Sequence, residues 1–246
     1  LATLPTRHDE DWRYADADWL AAADPVALGQ WREIAVPAGE TLRETSSIIE
    51  GGVTRLRIRV GKGGRYEHFA LNSAGRYARL ELEVTLEEAA HFTFGGVTIG
   101  GGDKLQEFVT RVNHAAQSTS SQVVRAVHWG HSTGNFLGRI EIPQGSQQVD
   151  AAQNFKAILL EKGASANAKP ELEIHADDVK AAHGAAIGAL DEKAGFYMAA
   201  RGIPPEIARK LLVRAFIADA FEALEDEAQH DELLERALAA LDEEVV

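Results

Sequence analysis

His175, Asp177, Asp178 and His183 lie close together in the chain, and they are the side chains most suited to chemistry. A neutral imidazole can ligate a metal, and a neighbouring carboxylate can fix its tautomer. His183 is the candidate metal ligand; its alternative role is a hydrogen-bonded turn residue beside Gly184. If residues 173–176 form a strand, His175 alternates with its neighbours and nothing brings it to His183, so a closed four-ligand site is not expected. His128, His131 and Ser132 occupy Gly130-His-Ser-Thr-Gly134, which has the letters of a Gly-x-Ser-x-Gly nucleophile elbow. An elbow needs a strand before it and a helix after it, whereas strands are expected on both sides here, so a corner between strands is the better reading. The glycine runs at 51–52, 61–64 and 100–102 lack the Lys-Ser or Lys-Thr that a phosphate loop places at a helix start, so they read as turns.

The chain has no cysteine, which excludes disulfides, thiolate zinc sites and cysteine-ligated clusters built wholly from its own side chains. Its formal net charge is −13, with Asp226, Glu227, Asp231, Glu232, Asp242, Glu243 and Glu244 crowded near the end. Such a surface repels phosphate backbones, so nucleic acid is not an expected partner. No apolar run approaches the ~20 residues that cross a bilayer, and residues 7–10 are polar where a signal peptide would need an apolar stretch. A cytoplasmic protein without membrane contact is expected.

The elements that would position these side chains are mainly strands. Leu80, Leu82, Val84 and Leu86 alternate with Glu81, Glu83 and Thr85, a period of two that buries one face and leaves the acids in water. The same alternation recurs from Val53 to Ile187, through Leu56, Ile58 and Val60, through Phe136, Ile140 and Ile142, and through Val149 to Leu159. The segments repeat every ~12–16 residues, as stacked coils or sandwich strands would. Small inward residues such as Gly138, Ala151 and Ala157 favour the narrow interior of a β-helix. Three regions result: 1–50, a short helical or irregular segment; 51–200, the β-helix; and 201–246, a helical segment. Pro204-Pro205-Glu206 announces a helix running to about Glu225. Its apolar residues surround most of its circumference, so it needs cover on more than one side, whereas the last helix carries a single stripe of Leu233, Leu234, Ala237, Leu238 and Leu241.

Lys169-Pro-Glu-Leu-Glu-Ile-His-Ala-Asp-Asp-Val-Lys180, followed by His183-Gly-Ala-Ala-Ile-Gly-Ala-Leu-Asp191, resembles the signature of the SufB/SufD family of the SUF iron–sulfur cluster assembly machinery. Residues 196–203 and 208–216 resemble the family's passage from its last β-helix turns into its C-terminal helices. Pro5-Thr-Arg and Asp11-Trp-Arg-Tyr14 resemble the SufD N-terminal motif. The resemblance implies a right-handed parallel β-helix with helical ends, pairing with SufB through the β-helices, and docking of the SufC ATPase on the C-terminal helices. It also places His183 at the family's functionally discussed histidine. Two departures stand out: only about fifty residues are expected before the first clear strand, and Ala181 occupies a position where many relatives carry cysteine.

The expected function is therefore a non-catalytic scaffold. The chain itself holds no cofactor, and an iron–sulfur cluster is present only transiently at a subunit interface. Arg209, Leu212, Phe216 and Phe221 are the expected SufC contacts, and the isolated chain is expected to pair with a second copy of itself. The rival readings are a β-helix carbohydrate-active enzyme using paired acids and a stand-alone iron-binding module.

Overall fold

The computed structural model describes residues 4–245, with side chains described to Leu241; the acids Asp242, Glu243 and Glu244 lie outside the described side chains. Twelve strands run β1 (Arg32–Val36), β2 (Thr41–Ile48), β3 (Gly52–Val60), β4 (Arg65–Asn72), β5 (Tyr77–Leu86), β6 (His91–Gly100), β7 (Leu105–His114), β8 (Thr119–His128), β9 (Thr133–Ile142), β10 (Asp150–Leu159), β11 (Ser165–Ile174) and β12 (Lys180–Gly188). Odd strands form one parallel sheet in the order β1-β3-β5-β7-β9-β11, and even strands form the other, β12-β10-β8-β6-β4-β2. Each coil thus gives one strand to each wall, and six coils stack into a β-helix. The stacking begins earlier than the alternation suggested, because β1 and β2 lie inside the region expected to be helical or irregular. Their edge position leaves them few buried residues and so a weak period-two signal.

In-register partners share a wall, so inward residues stack in columns through the lumen. Leu56, Leu82, Phe108, Phe136 and Phe155 belong to one continuous apolar core between the walls. The sharp corners also stack: Gly130 has φ +62°, and a Cβ there would fall 2.9 Å from the Gly102 amide nitrogen, so a side chain would push successive coils apart.

The two outer faces are covered differently. On the even-strand wall lie helices α4 (Pro205–Ala218) and α5 (Glu227–Val245), joined through a short 3-10 turn, Asp219–Phe221. Phe69, Leu71, Val97, Ile99 and Val127 of this wall pack with Val213, Ile217, Phe221, Leu233 and Leu234 of the helical layer. Gly95 permits this approach, since any Cβ there would clash with the Ala220 carbonyl oxygen. The single stripe of α5 is buried as its pattern requires, and the apolar circumference of α4 is met in part by α5 on one side and the sheet wall on another.

The odd-strand wall is covered by the N-terminal segment, including α1 (Ala17–Ala22) and α2 (Pro25–Leu28). Trp12, Leu20 and Leu28 pack with Tyr77, and Trp12 lies over the Arg79 guanidinium. Glu81 is therefore not a solvated acid. It is fully buried with Arg79, and Arg55 and Arg111 pair with it as well. Burial pushes its carboxyl pKa up, but Arg79 and Arg111 outweigh this and hold it below the usual range. The alternation of Glu81 was read correctly as outward; the cover over it came from residues far away in sequence.

Along the same wall, Glu33, Arg57, Glu83, Arg111, Arg139 and Glu171 are successive register partners. Opposite charges on neighbouring rungs favour this register. Where two arginines adjoin, Asp11 of the N-terminal segment reaches Arg111 at 2.7 Å, and Glu10 reaches Lys169 at 2.9 Å. No helix among the described residues is long and apolar enough to cross a membrane.

Candidate functional site at the open end of the lumen

One inward column runs through the even wall: Glu44, His68, Phe94, Gln122, Gln153 and His183 are successive register partners on β2, β4, β6, β8, β10 and β12. His183 therefore faces the lumen at the last rung. Among the described residues no strand stacks beyond it, because β12 pairs only with β10 and β11 only with β9. The lumen residues of this rung are only half-buried, as Ala168, Pro170 and Leu172 on β11 and Ala181 on β12, or exposed, as Ala185 and Ile187 on β12. Ile174 is 40% and Ile187 46% exposed. Two bare strand edges and an apolar floor make a surface suited to further β pairing.

His183 is exposed and has no hydrogen-bond partner among the described residues. It meets neither His175 nor the two aspartates. His175 lies just after β11, on the outward alternation, and its ring contacts Glu173 at 3.2 Å. No group of three or more metal-ligating side chains occurs among the described residues. Ligation by His183 would need groups from outside this chain.

Buried histidines elsewhere are satisfied. His68 Nε2 lies 3.0 Å from Ser46 Oγ and its Nδ1 lies 2.9 Å from the Tyr66 hydroxyl. That hydroxyl donates to Glu44 at 2.7 Å. Since Tyr66 spends its one proton on a carboxylate, His68 must be the Nδ1–H tautomer, with Nε2 accepting from Ser46. His114 sits between Ser118 and Ser120. His128 sits between Ser132 and Thr98. Burial lowers the pKa of His68 and His114 to about 4 and that of His128 to about 3. Ser132, the apparent elbow serine, is fully buried and donates to the Gly100 carbonyl at 2.6 Å. It ties one corner to the next and cannot meet a substrate.

Of the expected docking residues on the helical layer, Phe221 needs correction. Phe221 is completely buried against the even wall, and Phe216 is partly buried with its ring 5.8 Å from the Arg125 guanidinium. Arg209 and Leu212 are half-buried. The apolar residues left exposed are Ile207 and Leu211 on α4, with Phe196 (78% exposed) and Tyr197 on α3 (Glu192–Ala199), the helix that packs against α4. The circumference of α4 did not say which apolar residues the sheet would take, because the sheet is a distant part of the chain. In the sequence, Phe196 and Tyr197 stand out only as adjacent aromatics in a short segment.

The family described as SUF system FeS cluster assembly, SufBD core domain, matches residues 51–216. An iron–sulfur cluster assembly SufBD family protein of Synechocystis sp. is 32% identical over 175 residues, covering 70% of this chain and 38% of the relative. The iron–sulfur cluster assembly protein SufD of Escherichia coli is 39% identical over 101 residues, 41% of this chain and 24% of the relative. SufD of Bacillus subtilis is 29% identical over 139 residues, 56% of this chain and 32% of the relative. The matched stretches thus span well under half the length of these relatives.

Proposed function

The chain belongs to the SufBD family of iron–sulfur cluster assembly proteins, and from that premise we propose that it is a non-catalytic, cytoplasmic scaffold whose open lumen end pairs with SufB and whose α3–α4 surface docks the SufC ATPase. The observation that carries this reading is the uncapped last rung, with β11 and β12 unpaired on their outer edges and His183 between apolar lumen residues. In isolation a second copy takes the same place. The cluster is cargo assembled where the two β-helices meet. His183 contributes one lone pair there, and the remaining ligands, thiolates included, come from the partner, since this chain has no cysteine.

Docking of SufC rests on Phe196, Tyr197, Ile207 and Leu211, which form the apolar surface of the C-terminal helices beyond the part the sheet covers. The test is Leu211→Asp. Co-purification with SufC should be lost while the melting temperature stays within a degree or two, because an exposed anchor contributes to binding and little to folding. SufC retained at the wild-type level would remove α4 from the docking surface. Nothing in the structure favours the carbohydrate-active reading, whose outward acids are held in ion pairs, Glu81 beneath the N-terminal segment and Glu83 with Arg57.

A further inference from the structure

One rung below His183, the lumen holds two amides that do not complete their hydrogen bonds. Gln153 is 2% exposed, and its Nε2 donates to the Glu171 backbone carbonyl at 3.2 Å. Because a backbone carbonyl can only accept, this bond fixes which end of the Gln153 amide is nitrogen. Its Oε1 is buried without a partner. On the next rung down, Gln122 Oε1 accepts from the Thr110 hydroxyl at 2.6 Å, and Gln122 Nε2 is buried without a partner. A buried polar atom left unpaired costs roughly 1–3 kcal/mol, so such atoms call for a function or a missing partner. Gly138 keeps the space beside Gln153 open, since any Cβ there would overlap Gln153 Oε1.

We infer that Gln153 is a positioning residue for His183: its side-chain carbonyl accepts one ring N–H of His183 and leaves the other ring nitrogen as a lone pair facing out of the lumen. A carbonyl oxygen has two lone pairs. One can serve the unpaired Gln122 Nε2–H of the rung below, and the other the register partner above. Neighbouring rungs are ~4.8 Å apart, within reach of an imidazole on the same face. His183 has no competing partner among the described residues. The arrangement gives His183 what metal-binding histidines ordinarily have, a hydrogen bond that sets the tautomer from the side away from the ligand. Here that contact is an amide of the same lumen column, two strands back in sequence and one rung down.

This inference rests on the proposed role of His183 at the open end, but its test needs neither partner nor iron. The 15N chemical shifts of the His183 ring are read in the isolated full chain at neutral pH, for wild type, Gln153→Leu and Gln153→Glu. The wild type should show one dominant tautomer, with widely separated Nδ1 and Nε2 shifts. Gln153→Leu should collapse the separation toward that of a freely exchanging imidazole, and Gln153→Glu, which keeps an acceptor, should restore it. A wild-type ring that already behaves as a free imidazole overturns the inference without any variant, as do identical shifts in wild type and a folded Gln153→Leu. Failure of the scaffold reading would appear elsewhere, as cluster assembly indifferent to His183, with the tautomer result standing.

Discussion

The two ends of one lumen treat the same column position in opposite ways. At the N-terminal end His68 is buried, fixed as one tautomer between Ser46 and Tyr66, and backed by Glu44, which Arg32 grips at 2.7 Å. At the C-terminal end His183 stands on an unfinished rung, exposed and without a partner. The polar chain around His68 completes itself within the chain, although β1 and β2 at that end also keep bare outer edges. The rung around His183 leaves a ring nitrogen, two strand edges and an apolar floor, all of which a second β-helix could satisfy. Fold and fold position being shared, satisfaction of the side chains separates the structural histidine from the candidate working one.

That difference should be largest in paired alanine substitutions. His68→Ala removes a buried ring and strands the Tyr66 and Ser46 hydroxyls, which should cost about 3 kcal/mol by calorimetry or denaturant titration. His183→Ala should change stability by no more than about 0.5 kcal/mol yet reduce cluster formation in the assembled complex. Equal destabilisation by the two substitutions would erase the contrast and make His183 a packing residue.

Much of this was legible in the sequence, and the rest was hidden for a definite reason. Alternation in Leu80 to Leu86 needs only local spacing, and so the β-helix could be read from it. Whether an outward residue meets water depends on what else folds over it, which explains why Glu81 and Phe221 were misjudged: their covers, the N-terminal segment and the even wall, lie far away in sequence. His183 was singled out through a family motif. Its lumen-facing position follows from the spacing of Ala181, His183, Ala185 and Ile187, but alanines mark an inward face too weakly for the pattern to announce itself. Gln153 gave no signal, because an unpaired amide oxygen exists only once the rungs are stacked.

A smaller effect should appear with pH. The pKa values of His68, His114 and His128 lie below the unfolded value of 6.5, at about 4, 4 and 3. As the pH falls through 6.5 the unfolded chain takes up these protons while the folded chain does not. Stability is thus fully present above pH 6.5 and is lost toward pH 4, by up to ~1.4 kcal/mol per pH unit for each histidine. His68→Asn should flatten part of this slope. A wild-type stability that is constant from pH 7 to pH 4 would show that these rings are not held neutral by burial.

The central claim is that the unfinished end is the pairing surface, and amide hydrogen exchange tests it most directly. The chain is compared alone, at a concentration low enough to be monomeric, and with a SufB-type partner, following every strand. The account predicts new protection in β11 and β12 on adding the partner, with β1 and β2 at the other end unchanged. Protection confined to β1 and β2, or to the α4–α5 face, would contradict it.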